Sequence, residues 1–178
     1  METNTKAFLK LITFLEANWK GVDPYYLYYG NKYKITTLKD HPIATGEAKY
    51  IPIGNNKTSA SGAYQIVYKT YKSYKEKGFV NDFSKASQDK IAIDLLGRAI
   101  NNIEQGHIEK AIEQVRNIWE AFDKILLGKY GKITIKTCIE KFKEFGGIPM
   151  IKQKDGSYQP DGDLTINSNS QQPKKKTL

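Results

Sequence analysis

Apolar residues in this chain recur first at helical spacing. Phe8, Leu11, Ile12 and Leu15 follow the i, i+3, i+4, i+7 rule, with Asn4 or Thr5 placed to cap the helix they predict. Glu16 closes that helix beside Leu15 and one turn after Ile12, at the margin of the apolar stripe. From Gly21 to Lys57 the texture changes to aromatics, threonine and glycine: Pro24-Tyr25-Tyr26-Leu27-Tyr28-Tyr29-Gly30, Tyr33 to Leu38, and Tyr50-Ile51-Pro52-Ile53-Gly54. These read as short strands with turns at Gly30-Asn31 and Gly54-Asn55-Asn56, hence a small β-rich lobe.

Beyond Gly62 the helical period returns. It predicts helices over Gln65–Lys77, Ser84–Gln105, Ile108–Phe122 and Thr134–Phe145, the last stopping at Gly146-Gly147. The expected fold is α+β: a mostly helical domain over residues 1–151 with a β-rich lobe at about 21–57 inserted after the first helix. Residues 152–178 are polar and end in Pro173-Lys174-Lys175-Lys176, so they are expected to form a flexible tail that buries too little apolar surface to offset ordering entropy.

At 178 residues the length suits one domain. The net charge of +9 points to an anionic partner. That charge is nearly all lysine, with Arg98 and Arg116 the two arginines, so the bidentate readers of nucleic acid are scarce and none is expected as partner. No apolar run reaches the roughly 20 residues that span a bilayer. Lys10 and Glu16 interrupt the N-terminal apolar stretch, so no signal peptide is expected and synthesis is assigned to the cytoplasm. The lone Cys138 agrees with a reducing compartment and is expected to be buried. His41 and His107 do not make a metal cluster, and no nucleotide or hydrolase-elbow motif occurs, so neither metal nor cofactor is expected.

Chemistry gathers in a few places. Thr58-Ser59-Ala60-Ser61-Gly62-Ala63-Tyr64-Gln65 offers hydroxyls from Ser59 and Ser61, close approach at Gly62, and a ring and an amide from Tyr64 and Gln65, as a sugar site needs. Tyr28 and Tyr29, with Tyr25 and Tyr26, are rings that stack on pyranose faces, although strand alternation turns at most half toward one side. Tyr130 sits between glycines in Gly128-Lys129-Tyr130-Gly131. Asp89, early in a helix, reads as a dipole or capping residue. Trp119 reads as core.

The order Lys6-Ala7-Phe8-Leu9, Glu16, Thr58 to Gln65, Asp82 to Asp89 and Gly128 to Gly131 resembles the phage lambda lysozyme family over roughly Lys6 to Ile151. The family usually has glycine where Ala17 stands, a basic residue at Ala63 and glutamine at Lys132. The resemblance implies a peptidoglycan lytic transglycosylase. Its catalytic acid would be Glu16, its substrate contacts Ser59, Ser61, Gly62, Tyr64, Gln65 and Tyr130, beside the stacking rings Tyr28 and Tyr29 read above, and its partner the glycan strands. It further implies a monomer that reaches the wall after release through a holin pore. Two readings stay open beside it: a hydrolysing muramidase with Asp23, Asp40 or Glu47 as second carboxylate, and a catalytically inactive basic module that binds glycan or nucleic acid.

Overall fold

The computed structural model describes residues 2–29 and 33–161, so the turn expected at Gly30-Asn31 and the chain after Asp161 lie outside the described residues. Seven α-helices and three two-stranded antiparallel hairpins form among them.

Helix α1, Thr3–Glu16, is the axis of the molecule, packing against the later helices with Ala7, Phe8, Leu11, Ile12 and Leu15 buried. Asn4 and Thr5 do not cap it. Both are buried: the Asn4 side chain donates to Glu104 O at 3.0 Å and accepts from Ile148 N at 2.9 Å, and Thr5 bonds the Glu104 carboxylate. They tie the start of α1 to the far end of the chain, a use that no local signal reports.

The β-rich lobe follows. A 3-10 turn at Pro24–Tyr26, capped by Asp23, leads into β1 (Leu27–Tyr28), which pairs with β2 (Tyr33–Lys34). Strands β3 (Ile51–Ile53) and β4 (Asn56–Thr58) pair across the two-residue turn Gly54-Asn55, close to the position expected. His41 anchors the lobe to the body. Its ring is fully buried, its Nε2 lies 3.1 Å from Ile66 O, and Tyr68, Tyr71 and Phe83 surround it.

The helical remainder is more divided than its periodicity suggests. Helix α2 is Tyr68–Glu76 and starts three residues later than expected, because Ser61 and Ile66 are paired with each other and Gln65 takes a left-handed backbone. The expected helix Ser84–Gln105 is split at Gly97 (φ +49) into α3, Lys85–Leu96, and α4, Ala99–Glu104. The expected Ile108–Phe122 helix is α5, Ile108–Val115, and α6, Glu120–Leu126, separated by an extended Trp119 whose ring is buried. Helix α7, Ile135–Glu144, is capped by Thr134. Phe8 of α1 stacks on Phe122 of α6 with ring centroids 5.7 Å apart, which fixes α6 against the middle of α1.

The expected domain boundary at Lys152 falls inside a hairpin: β5 (Met150–Lys152) pairs with β6 (Tyr158–Pro160). Asp161 continues the attachment through its N–H to Pro149 O and its carboxylate to Lys143, 3.2 Å away. Three ladder pairs and a His107–Tyr158 ring contact order a segment whose composition alone reads as polar and loose.

Candidate active site

Glu16 is the last residue of α1, where the core stripe meets the surface. The residue is half-buried, but its Oε1 is fully covered and has no hydrogen-bond partner. Burial of an ionised carboxylate without a partner is costly, so burial is the main reason its pKa is pushed from 4.5 up to about 7. The backbone N–H of Ala121, in the first turn of α6, acts in the opposite direction. The Glu120 carboxylate raises the value further and Lys124 lowers it, and these two side chains pair with each other at 3.0 Å. A carboxylic acid near half protonation at neutral pH is the state required of a general acid.

Tyr130 frames the same corner. Its hydroxyl donates to Leu15 O at 2.8 Å, satisfying a carbonyl in the last turn of α1 that has no partner within the helix. Gly128 and Gly131 on either side have φ of +65° and +59°, conformations that side chains rarely adopt, so the two glycines let the loop turn the ring onto α1. Burial raises the Tyr130 pKa, and the charge of Glu16 raises it further, which marks the two groups as neighbours.

The Ser59-to-Gln65 segment builds the wall between lobe and body. Gly62 N donates to Leu27 O at 2.7 Å and Tyr29 N to Ala60 O at 2.8 Å, so the segment is stitched to β1. Gly62 has φ +76°, and a Cβ there would collide with the Gln88 side chain. Buried Gln88 accepts from Ala63 N at 3.0 Å and donates to Phe83 O at 2.9 Å. The hydroxyls expected to meet sugar are engaged internally: Ser59 Oγ accepts from Tyr68 N at 2.9 Å, and Ser61 Oγ donates to Ser59 O at 3.0 Å. Tyr64 is buried and donates to Asp89 Oδ1 at 2.6 Å, and Tyr28 is buried with its hydroxyl on Lys49 O. Tyr29, Gln65 and Tyr130 reach the surface in part. The structure thus gives the motif a scaffolding role and leaves fewer of its side chains exposed than the sequence suggests.

Sequence reasoning missed two contributors. The first is the start of α6: Trp119 Nε1 donates to Tyr64 O at 3.0 Å, locking the motif to the residue that precedes α6, and so setting Ala121 and Glu120 beside Glu16. The helical period runs unbroken through this stretch and hides the break. The second is Asp89, which accepts from both Tyr64 and Tyr25 (2.7 Å) in addition to lying early in α3. Trp119 and Cys138 are buried as read from sequence, His41 is buried too, and burial pushes the Cys138 thiol up to about 12.

The other candidate carboxylates are occupied. Asp23 pairs with Lys85 and caps the 3-10 turn, Asp40 pairs with Lys75, and Glu47 accepts from Thr36 N. Glu120, rather than any of these, is the carboxylate whose charge acts on Glu16. Among the described residues no group of three or more His, Cys, Asp or Glu is placed to hold a metal.

The Endolysin family model matches residues 6–148. The endolysin of Escherichia phage P2 is 34% identical over 117 residues, covering 64% of this chain and 70% of that protein. The endolysin of Escherichia phage lambda is 28% identical over 151 residues, covering 80% and 90%. Among solved structures, bacteriophage lambda lysozyme complexed with a chitohexasaccharide superposes with a TM-score of 0.67 at 27% identity, covering 83% of this chain and 96% of that one. A second lambda lysozyme structure, at 24% identity and a TM-score of 0.66, supports the fold alone. With an acid of raised pKa at the end of α1 and a match that spans the whole helical body, the chain belongs to the endolysin family and is a peptidoglycan-degrading enzyme with the lambda-lysozyme fold.

Proposed function

We propose that this endolysin is a lytic transglycosylase and that Glu16 is its sole essential acid. The observation that carries the proposal is the half-buried Glu16 carboxyl, its Oε1 covered, its pKa raised to about 7 and a backbone N–H of α6 beside it. Protonated Glu16 gives its proton to the glycosidic oxygen as the bond from C1 of N-acetylmuramic acid to O4 of N-acetylglucosamine breaks. The carboxylate left behind is stabilised by the Ala121 N–H. It then takes the proton from the 6-hydroxyl of the same muramic acid while O6 bonds to C1, which restores Glu16 and yields a 1,6-anhydro sugar. Because the nucleophile is tethered to the ring, no water and no second carboxylate are needed. Most glycosidases divide this work between two carboxylates. Here Asp23, Asp40 and Glu47 are held by partners of their own.

The proposed substrate is the glycan strand of peptidoglycan, consistent with a fold relative that was solved with a chitohexasaccharide. No helix among the described residues is long and apolar enough to cross a membrane. The proposed route to the wall is a pore made by another protein, with the enzyme acting as a monomer.

Digestion of purified peptidoglycan followed by mass spectrometry tests the reaction type. Muropeptides ending in 1,6-anhydro-muramic acid, lighter by one water than reducing ends, are expected. Asp23→Asn, Asp40→Asn and Glu47→Gln should each still produce them. Labelled oxygen from water in the new terminus, together with loss of activity in one of those variants, would establish a muramidase instead.

A further inference from the structure

A groove of about 880 Å³ runs along the outer face of α1 from Thr3 to Ala17 and continues over Asn18 and Trp19, and Glu16 is not among the residues that line it. Its floor is aromatic: Phe14 and Phe145 lie with centroids 6.4 Å apart, and Trp19 is 41% exposed within it. Its rim is cationic. Lys6 and Lys10, one turn apart on α1, and Lys141 on α7 line it, and the Lys141 Nζ stands 5.3 Å over the Phe14 ring. Lys141 is shared with Glu144 at 2.6 Å, whereas Lys6 and Lys10 have no ion-pair partner among the described residues. The one acid in the lining, Asp89, already accepts from two tyrosine hydroxyls. The groove therefore combines apolar area with uncompensated positive charge. Ala17, the residue after the catalytic acid, is part of its lining.

From this placement we infer that the groove binds the short acidic peptide carried by the muramic acid of peptidoglycan, and so selects peptide-bearing glycan over bare glycan. The inference rests on the reading of Glu16 as the acid that cuts at muramic acid. A muramic acid held at Glu16 carries its peptide close to the stretch of groove that Ala17 lines. Charge complementarity is direct, since the stem peptide has several carboxylates and small apolar side chains, which match lysine ammonium groups above an aromatic floor. The length also agrees. Thr3 to Ala17 spans about 21 Å of helix at 1.5 Å per residue, and an extended peptide of four or five residues reaches roughly 13–17 Å. A bare sugar has no charge to place against Lys6 and Lys10.

The test compares cleavage of intact peptidoglycan strands with cleavage of the same strands stripped of peptide by an amidase. The readout is the ratio of kcat/KM on the two substrates. The parent enzyme should favour intact strands. The double substitution Lys6→Glu and Lys10→Glu, both on the exposed side of α1, should lower that ratio about fivefold or more, in the range expected for two exposed charge pairs reversed in sign. A ratio near one for the parent, or one unmoved by the double variant, overturns the inference. Because stripped strands are still cut at Glu16, products from them keep the reaction assignment separate from this one. In a second arm, Trp19 fluorescence in the Glu16→Gln protein is titrated with the free tetrapeptide, and the other tryptophan, Trp119, is buried. A saturable change that weakens with salt and with the lysine reversals supports the site. A change seen with vesicles of anionic phospholipid but not with the peptide would assign the groove to a lipid surface and overturn it.

Discussion

The Glu16→Gln substitution tests the site through stability as well as rate. A folded-state pKa of about 7 against 4.5 means that the native state holds a proton that the unfolded chain releases more readily. Below about pH 4.5 both states are protonated and the group contributes no penalty. Between 4.5 and 7 the unfolded chain loses its proton first, so native stability falls as pH rises. Above 7 the loss is complete and flat. At about 1.36 kcal/mol per pH unit the full loss is about 3 kcal/mol. Glutamine has nearly the same shape and never ionises, so the variant should match the parent near pH 4 and exceed it by up to about 3 kcal/mol at pH 8. Activity should move in the opposite direction, falling by roughly two or more orders of magnitude at every pH, since the general acid is gone. In the parent, kcat/KM should decline above pH 7 as Glu16 deprotonates. Urea unfolding of both proteins at pH 4, 5.5 and 8, with parallel assays of peptidoglycan clearance, makes the comparison. A stability difference that does not change with pH would show that Glu16 is ordinarily hydrated. A folded Gln variant that clears walls at the parental rate would show that the proton comes from elsewhere.

Three further outcomes are expected. Tyr130→Phe removes the donor to Leu15 O, costs about 1 kcal/mol in denaturant unfolding, and lowers kcat because the end of α1 that carries Glu16 is no longer pinned. Gly62→Ala places a side chain at φ +76° against Gln88, so thermal melting should drop by an amount equivalent to about 2 kcal/mol or more. His41 is buried and neutral, with burial holding its pKa down at about 4. Stability linked to it is therefore full above the ordinary value of 6.5 and is lost as pH falls toward 4, and His41→Gln should flatten that acid limb in pH-dependent melting.

Much of this protein was legible in the order of its residues, and the reason is physical. The stripe Phe8, Leu11, Ile12, Leu15 can bury only one face of a helix, so it dictated α1 and left Glu16 at its boundary. Gly54-Asn55 between short extended segments dictated the β3–β4 turn, and the glycines bounding Tyr130 marked a turn whose positive φ values the structure then supplied. The resemblance in motif order then pointed to the family. What the sequence could not reveal depends on contacts between distant residues. Helical periodicity continues through Gly97 and through Asn117–Trp119, and only the burial of Trp119 and its bond to Tyr64 O decide that α6 is a separate helix whose first turn faces Glu16. Ser59, Ser61 and Tyr64 have the chemistry of sugar ligands, yet packing between lobe and body engages their hydroxyls inside the wall. The residues at Lys152 to Pro160 read as a polar tail until pairing with Met150–Lys152 and stacking on His107 order them. Glu16 was named as candidate acid by its place in the order of motifs, but its pKa is a property of what lies around it in space. Tertiary structure alone seals Oε1 and brings Ala121, Glu120 and Tyr130 to it from more than a hundred residues away.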